Sequence, residues 1–195
     1  IRAFLGQRRG AGLANASAAR ELSAIRALFG WLEEEGLAVR GALDGLRSPK
    51  VPRRVPRPVA PAAARALADE AGDNASAPWI AARDMAVLLL LYGSGLRISE
   101  ALSLTGTALP LGEVLTVTGK RAKTRMVPLL APVREAIESY VALCPWPTGR
   151  DLPLFRGARG GPLSADLIRR AVRTARIQLG LPDTATPHAL RHSFA

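Results

Sequence analysis

His188 and Arg191, close to the end of the sequence, have residue types and a spacing suited to phosphate chemistry. They lie in Thr186-Pro187-His188-Ala189-Leu190-Arg191-His192-Ser193-Phe194-Ala195. Thr186 is a natural N-cap, and Pro187 fits the first helical position, where its missing N–H costs nothing. In that helix His188 and Arg191 are three apart and leave the same face. The helix dipole, the imidazole and the planar guanidinium fork all favour an anion there. The same residues also describe an ordinary basic first turn of a surface helix, so the rest of the chain has to decide.

Arg97 follows the sharp break Gly93-Ser94-Gly95 and stands three residues before Glu100, on a helix expected to start near Leu96. The plainer alternative is a surface Arg97–Glu100 pair of little energetic weight. Residues 113–118, rich in Val and Thr, read as a strand, and 124–129 as its return. The basic turn 119–123 joins them into a β-hairpin with Lys120, Arg121, Lys123 and Arg125 at or near its tip. Gly119-Lys120 is not a P-loop, because Arg121 stands where Ser or Thr is needed. Ser164 caps a further helix, with Leu167, Ile168, Ala171, Val172 and Ala175 on one side and Arg169, Arg173 and Arg176 on the other. That basic stripe suits a nucleic-acid backbone, and equally a solvated face.

Arg97, a hairpin lysine, His188 and Arg191 together form a phosphate-handling set. Arginines fork onto two non-bridging oxygens and stabilise the charge of a pentacovalent transition state. A lysine on a mobile tip can protonate a leaving oxygen, and histidine exchanges protons near neutral pH. No acidic cluster suggests Mg²⁺, so metal-free phosphoryl transfer without a cofactor is expected. His188 and His192 have the spacing of a helical zinc pair, but Ala189 replaces the glutamate a metalloprotease would use, and no third ligand is evident.

The elements that must position these residues are mostly helical. The 195 residues are 48% hydrophobic and 22% charged, enough for one good core or for one domain plus part of another. Twenty-seven Lys and Arg face 16 acids, and the net charge of +11 suits a polyanion, nucleic acid above all. The longest apolar run, Met85 to Tyr92, is far short of the ~20 residues of a membrane span. Cys144 is the single cysteine, which excludes an intramolecular disulfide and points to a reducing cytoplasm. The chain starts at Ile1 and stops inside a helical pattern, so a fragment of a longer protein is expected.

Residues 15–35 read as a helix with Leu22, Ile25, Phe29 and Leu32 on one face, capped by Asn15 or Ser17 and closed by Gly36. Residues 48–58, with four prolines and four basic residues, read as an extended linker. Helices follow at 62–71, from Pro78, and at 132–143. Residues 79–92 are apolar nearly all round, which implies burial.

Three motifs carry a resemblance. Gly95-Leu96-Arg97-Ile98-Ser99-Glu100, the run from Gly119 to Leu129, and Pro187-His188-Ala189-Leu190-Arg191-His192 resemble, in order and spacing, motifs of the tyrosine recombinase (phage integrase) family, and within it those of bacterial Xer-type recombinases. The resemblance covers essentially the whole chain. It implies a mainly α fold with a small β-hairpin. Residues 1–50 would be part of an N-terminal helical core-binding (SAM-like) domain, 51–60 a basic proline-rich linker, and 61–195 a catalytic domain lacking its C-terminal part.

By the same resemblance Arg97, Lys120, His188 and Arg191 would be catalytic and Glu100 an acidic support. Arg121 and Ala122 depart from the Xer pattern, which brings in Lys123 as a second candidate acid. Lys120 is preferred because it follows Gly119 at the strand end. Arg121, Lys123, Arg125, Arg169, Arg173 and Arg176 are the expected DNA contacts. The implied activity is site-specific DNA recombination through a 3′-phosphotyrosine link, without ATP, metal or other cofactor. The implied partners are double-stranded DNA and a homo- or hetero-tetramer on two DNA sites, with no membrane. The nucleophilic tyrosine would lie beyond Ala195, so this chain alone is expected to be inactive. A decayed integrase that only binds DNA is the alternative.

Overall fold

The computed structural model describes residues 1–39, 41–51, 59–119 and 123–193, and the chain divides into two compact units, Ile1–Val55 and Pro56–Ala195. Most of the expected linker, 52–58, lies outside the described residues.

In the first unit, helices α1 (Arg2–Gly10) and α2 (Asn15–Glu34) are tied by an Arg8–Glu21 ion pair of 2.8 Å. The sequence reading assigns no element to residues 2–10. The helix there buries none of its residues, which is why no apolar stripe announces it. In α2, Ala18 and Leu22 are buried, and Ile25, Phe29 and Leu32 are half-buried. The expected cap is not found. Ala14 is the N-cap and makes no side-chain bond, while Asn15 sits inside the helix and donates to the Lys50 carbonyl at 3.2 Å. Gly36 closes the helix with φ of 72°, as the αL position after a helix requires.

The second unit is built around α4 (Pro78–Ser94), which packs against α3 (Pro61–Asp73), α6 (Ala131–Leu143) and the short α8 (Pro187–His192). Leu88, Leu90 and Leu91 of α4, Leu67 of α3, Ile137 of α6 and Leu190 of α8 lie in one core, with α7 (Ala165–Gln178) adding Ile168, Val172 and Ala175. Each buried leucine or isoleucine is worth roughly 1.5–3 kcal/mol of apolar transfer.

The burial of α4 agrees with its apolar composition, with one correction. It also buries Arg83 and Asp84, and the Arg83 Nε donates to Asp84 Oδ1 at 2.8 Å and its Nη1 to the Arg156 carbonyl at 2.9 Å. A charged pair can be buried when both partners are hydrogen-bonded. On α7, Leu167 is 37% exposed rather than inward, because the stripe centres on Ile168, Val172 and Ala175.

Gly95, in αL at φ 59°, ends α4, and the chain turns through buried Leu96 into α5 (Ile98–Leu102). Strands β1 (Val114–Thr118) and β2 (Thr124–Pro128) pair antiparallel, Val117 opposite Arg125 and Thr118 opposite Thr124. Leu115, Val117 and Val127 are buried while Met126 is 71% exposed, so the period of two sets which side chains turn inward. The result is the mainly α fold with a small hairpin that the sequence implies.

Candidate functional site

The site grows from the turn between α4 and α5. Arg97 is the N-cap of α5, and Glu100 occupies its N3 position. The Glu100 side chain is 5% exposed and reaches back to accept from the Arg97 backbone N–H at 2.8 Å, half of a capping box. The same carboxylate accepts from Arg97 Nη1 at 2.9 Å, and it is forked by Arg125, Nη1 to Oε1 at 3.0 Å and Nη2 to Oε2 at 2.8 Å. Arg191 Nη1 stands 3.8 Å from Oε2. Hydrogen bonds from Arg125, against the cost of burial and with help from Arg97, hold the Glu100 carboxyl down to about 2. The pair Arg97–Glu100 is therefore no surface ion pair, since its acid is buried and shared.

Three guanidinium groups gather on one carboxylate, which leaves an excess of positive charge. Arg191 Nη1 is buried and has no hydrogen-bond partner among the described residues. Glu100 at 3.8 Å compensates the charge of Arg191 but stands beyond hydrogen-bond reach, so the pairing leaves this donor without a hydrogen bond.

α8 delivers Arg191 and His188 as its cap motif demands. Thr186 is the N-cap, its hydroxyl accepts from the Ala189 N–H at 3.2 Å, and Pro187 holds the first position. At the other end Ser193 accepts from the Val59 N–H at 2.7 Å and donates to the Ala189 carbonyl at 2.9 Å, which pins the helix. Burial first, then His192, Arg191 and Arg97, lower the His188 pKa below the ordinary imidazole range, so its neutral form is favoured. The His188 and His192 Nε2 atoms are 2.9 Å apart with rings edge to face, so the spacing of four noted in the sequence brings the two rings into mutual contact.

A cavity of about 490 Å³ brings Arg97, His188 and Arg191 together with Arg169, Arg173 and Arg176 of α7, alongside apolar Leu96, Ile98, Val172 and Ala185. Arg169 pairs with Asp166, and Arg176 Nη1 donates to the Asp183 carbonyl at 2.7 Å, so both are held in place. Arg125 lies near the hairpin tip but turns onto Glu100, which the inward alternation with Val127 could have revealed. Lys123 is exposed at the hairpin mouth, while Lys120 and Arg121 lie outside the described residues. Chemically, the arrangement can grip a tetrahedral oxyanion from two sides and exchange a proton with it.

Neither tyrosine lines this cavity. Tyr92 belongs to α4. Tyr140 is fully buried, donates to the Leu154 carbonyl at 3.0 Å and accepts from the Arg156 N–H at 2.9 Å. Burial also pushes its hydroxyl pKa well up, and a hydroxyl with no exposed surface and both bonds occupied cannot reach a phosphate in this cavity. Among the described residues no cluster of three or more His, Cys, Asp or Glu could hold a metal ion, and no helix is long and apolar enough to cross a membrane.

The sequence comparisons place the chain in a family. Residues 65–195 match the phage integrase family, and residues 1–36 match the phage integrase N-terminal SAM-like domain. The chain belongs to the phage integrase family.

Over its whole length the chain is 49% identical to tyrosine recombinase XerC of Brucella suis biovar 1 (strain 1330) and 51% identical to that of Methylobacterium sp. (strain 4-46). It spans 62% of the length of each. Among solved structures, 98% of the chain aligns with 58% of the XerH site-specific recombinase bound to palindromic difH substrate in a post-cleavage complex, at TM-score 0.76 and 21% identity. In addition, 99% aligns with 54% of a lambda integrase chain from a dimer bound to a COC′ core site, at TM-score 0.74 and 19% identity. At these identities the two structures speak for the fold.

Proposed function

We propose that this chain carries the phosphate-holding part of a site-specific DNA recombinase. Residues 1–50 act as a core-binding domain, 51–60 as a basic linker, and 61–195 as part of a catalytic domain. One observation carries the reading: Arg97 and Arg191 flank a buried carboxylate and open, with His188, into one cavity. A DNA phosphodiester is an anion that the guanidinium groups lining this cavity can fork. It carries one negative charge, its pentacovalent transition state carries two, and the excess positive charge of the cluster favours the second over the first.

In this reading Arg97 and Arg191 fork the non-bridging oxygens, and Glu100 fixes their orientation. A tyrosine oxygen forms the new bond to phosphorus on the 3′ side while the bond to the 5′ oxygen breaks. The leaving oxygen takes its proton from a hairpin lysine, Lys120 by preference or Lys123. His188, held neutral, is suited to take the tyrosine proton. The energy of the broken bond is kept in the phosphotyrosine link, so no nucleotide cofactor is required. Arg121, Lys123, Arg169, Arg173 and Arg176 contact the DNA backbone. Arg125, expected from sequence among the DNA contacts, is oriented onto Glu100 and takes a supporting role instead.

The family resemblance extends the proposal to four subunits on two DNA sites and to a cytoplasmic setting. XerC relatives at about half identity support the recombination reading over a DNA-binding module without chemistry. The test is a nicked suicide duplex. The gene product that carries these residues should form a covalent protein–DNA adduct, and the 195-residue chain by itself should not. An adduct on Tyr92 or Tyr140 would overturn the reading, as would no adduct with the gene product.

A further inference from the structure

The Arg125–Glu100 fork joins two elements that the proposed chemistry must keep in register. β2 contributes Arg125, and α5 contributes Glu100, which also holds Arg97. Arg125 stands opposite Val117, one pair from the end of the ladder, and the Gly119 N–H donates to the Lys123 carbonyl at 2.8 Å to close the hairpin mouth. Gly119 itself lies against the same carboxylate. A Cβ placed there would sit 3.1 Å from Glu100 Oε1 and 3.4 Å from Arg125 Nη1, tighter than ordinary contact. The hairpin mouth is thus seated directly on the acid that orients Arg97. A bidentate guanidinium–carboxylate fork fixes direction as well as distance, and an ammonium in its place would not.

We propose that Arg125 is a positioning residue that docks the lysine-bearing hairpin onto the Glu100 hub, so that proton delivery to the leaving oxygen and grip on the phosphate share one carboxylate. The inference rests on the strand-exchange reading above. It assigns Arg125 to the protonation step and not to direct contact with the phosphate. Glu100 keeps Arg97 and has Arg191 within 3.8 Å when Arg125 is removed, so the phosphate clamp survives.

The test compares cleavage by the gene product on two duplexes, one with the natural 5′ oxygen at the scissile phosphate and one with a bridging 5′ sulfur. A thiolate leaves without needing a proton. Arg125→Gln should slow cleavage of the oxygen duplex by about 10²-fold, the scale of a lost general acid. It should cleave the sulfur duplex within a few-fold of the unmodified protein, and Arg125→Lys should restore little on the oxygen duplex. Gly119→Ala, whose Cβ would crowd Glu100 Oε1 at 3.1 Å while keeping Arg125, should show a smaller loss with the same selectivity. Equal slowing of both duplexes, or no slowing of either, overturns the proposal. If the unmodified protein cleaves neither duplex, the strand-exchange reading fails instead.

Discussion

Glu100 is the residue on which the site's electrostatics turn. Alone, a carboxylate with 5% of its side chain exposed would resist ionisation. The Arg125 fork and the Arg97 backbone and side-chain bonds reverse that, and the folded-state pKa of about 2 lies below the ordinary 4.5. The stabilisation from this ionised acid is therefore fully present above about pH 4.5 and is lost as pH falls through about 2, at most about 3 kcal/mol in total because water screens the half-exposed Arg97 and Arg125. Glu100→Gln should lower stability at neutral pH by a similar amount and flatten that acid loss. Urea denaturation at several pH values measures both, and an unchanged pH profile would mean that the cluster is not held by this charge. The sequence made Arg97 and Glu100 legible as a pair. It hid that the acid is buried and has further guanidinium neighbours, because neither Arg125 nor Arg191 lies near it along the chain.

At the scale of elements, the site depends on two helices too short to persist by themselves, α5 with 5 residues and α8 with 6. Each is held by caps and by packing in the core of the second unit. Thr186→Ala removes the hydroxyl that accepts from Ala189 and should cost about 1 kcal/mol of stability. Because α8 carries His188 and Arg191, cleavage should fall further than that loss of folded protein explains, a comparison made by thermal unfolding beside cleavage rates. Proportionate falls would show that the cap serves stability alone.

The α8 cap was readable because Thr-Pro at a helix start has a local physical cause. The α2 cap misled because Asn15 found a partner distant in sequence, the Lys50 carbonyl. The hairpin was readable as Val- and Thr-rich strands. The inward turn of Arg125 follows from the same alternation as Val127, but its partner on α5 is a tertiary contact that spacing does not encode.

For the whole molecule, the net charge of +11 and the α7 arginines set the expectation for binding. If phosphates dominate, duplex affinity falls steeply and log-linearly with salt. Arg173→Ala should reduce that slope by about one and weaken binding alike across sequences. Fluorescence anisotropy over a salt series reads the slope, and a salt-independent affinity would remove the electrostatic argument. The proposed division of labour places DNA grip along α7 and phosphate chemistry where α5, α8 and the hairpin meet.

That division is tested most directly by Arg191→Ala in the gene product, with duplex binding and cleavage measured on the same preparation. The geometry predicts that cleavage drops on the order of 10²-fold or more, as for a lost oxyanion donor, while binding stays within a few-fold. Parallel loss of both would make Arg191 a mere anchor, and cleavage at the original rate would contradict the phosphate clamp outright.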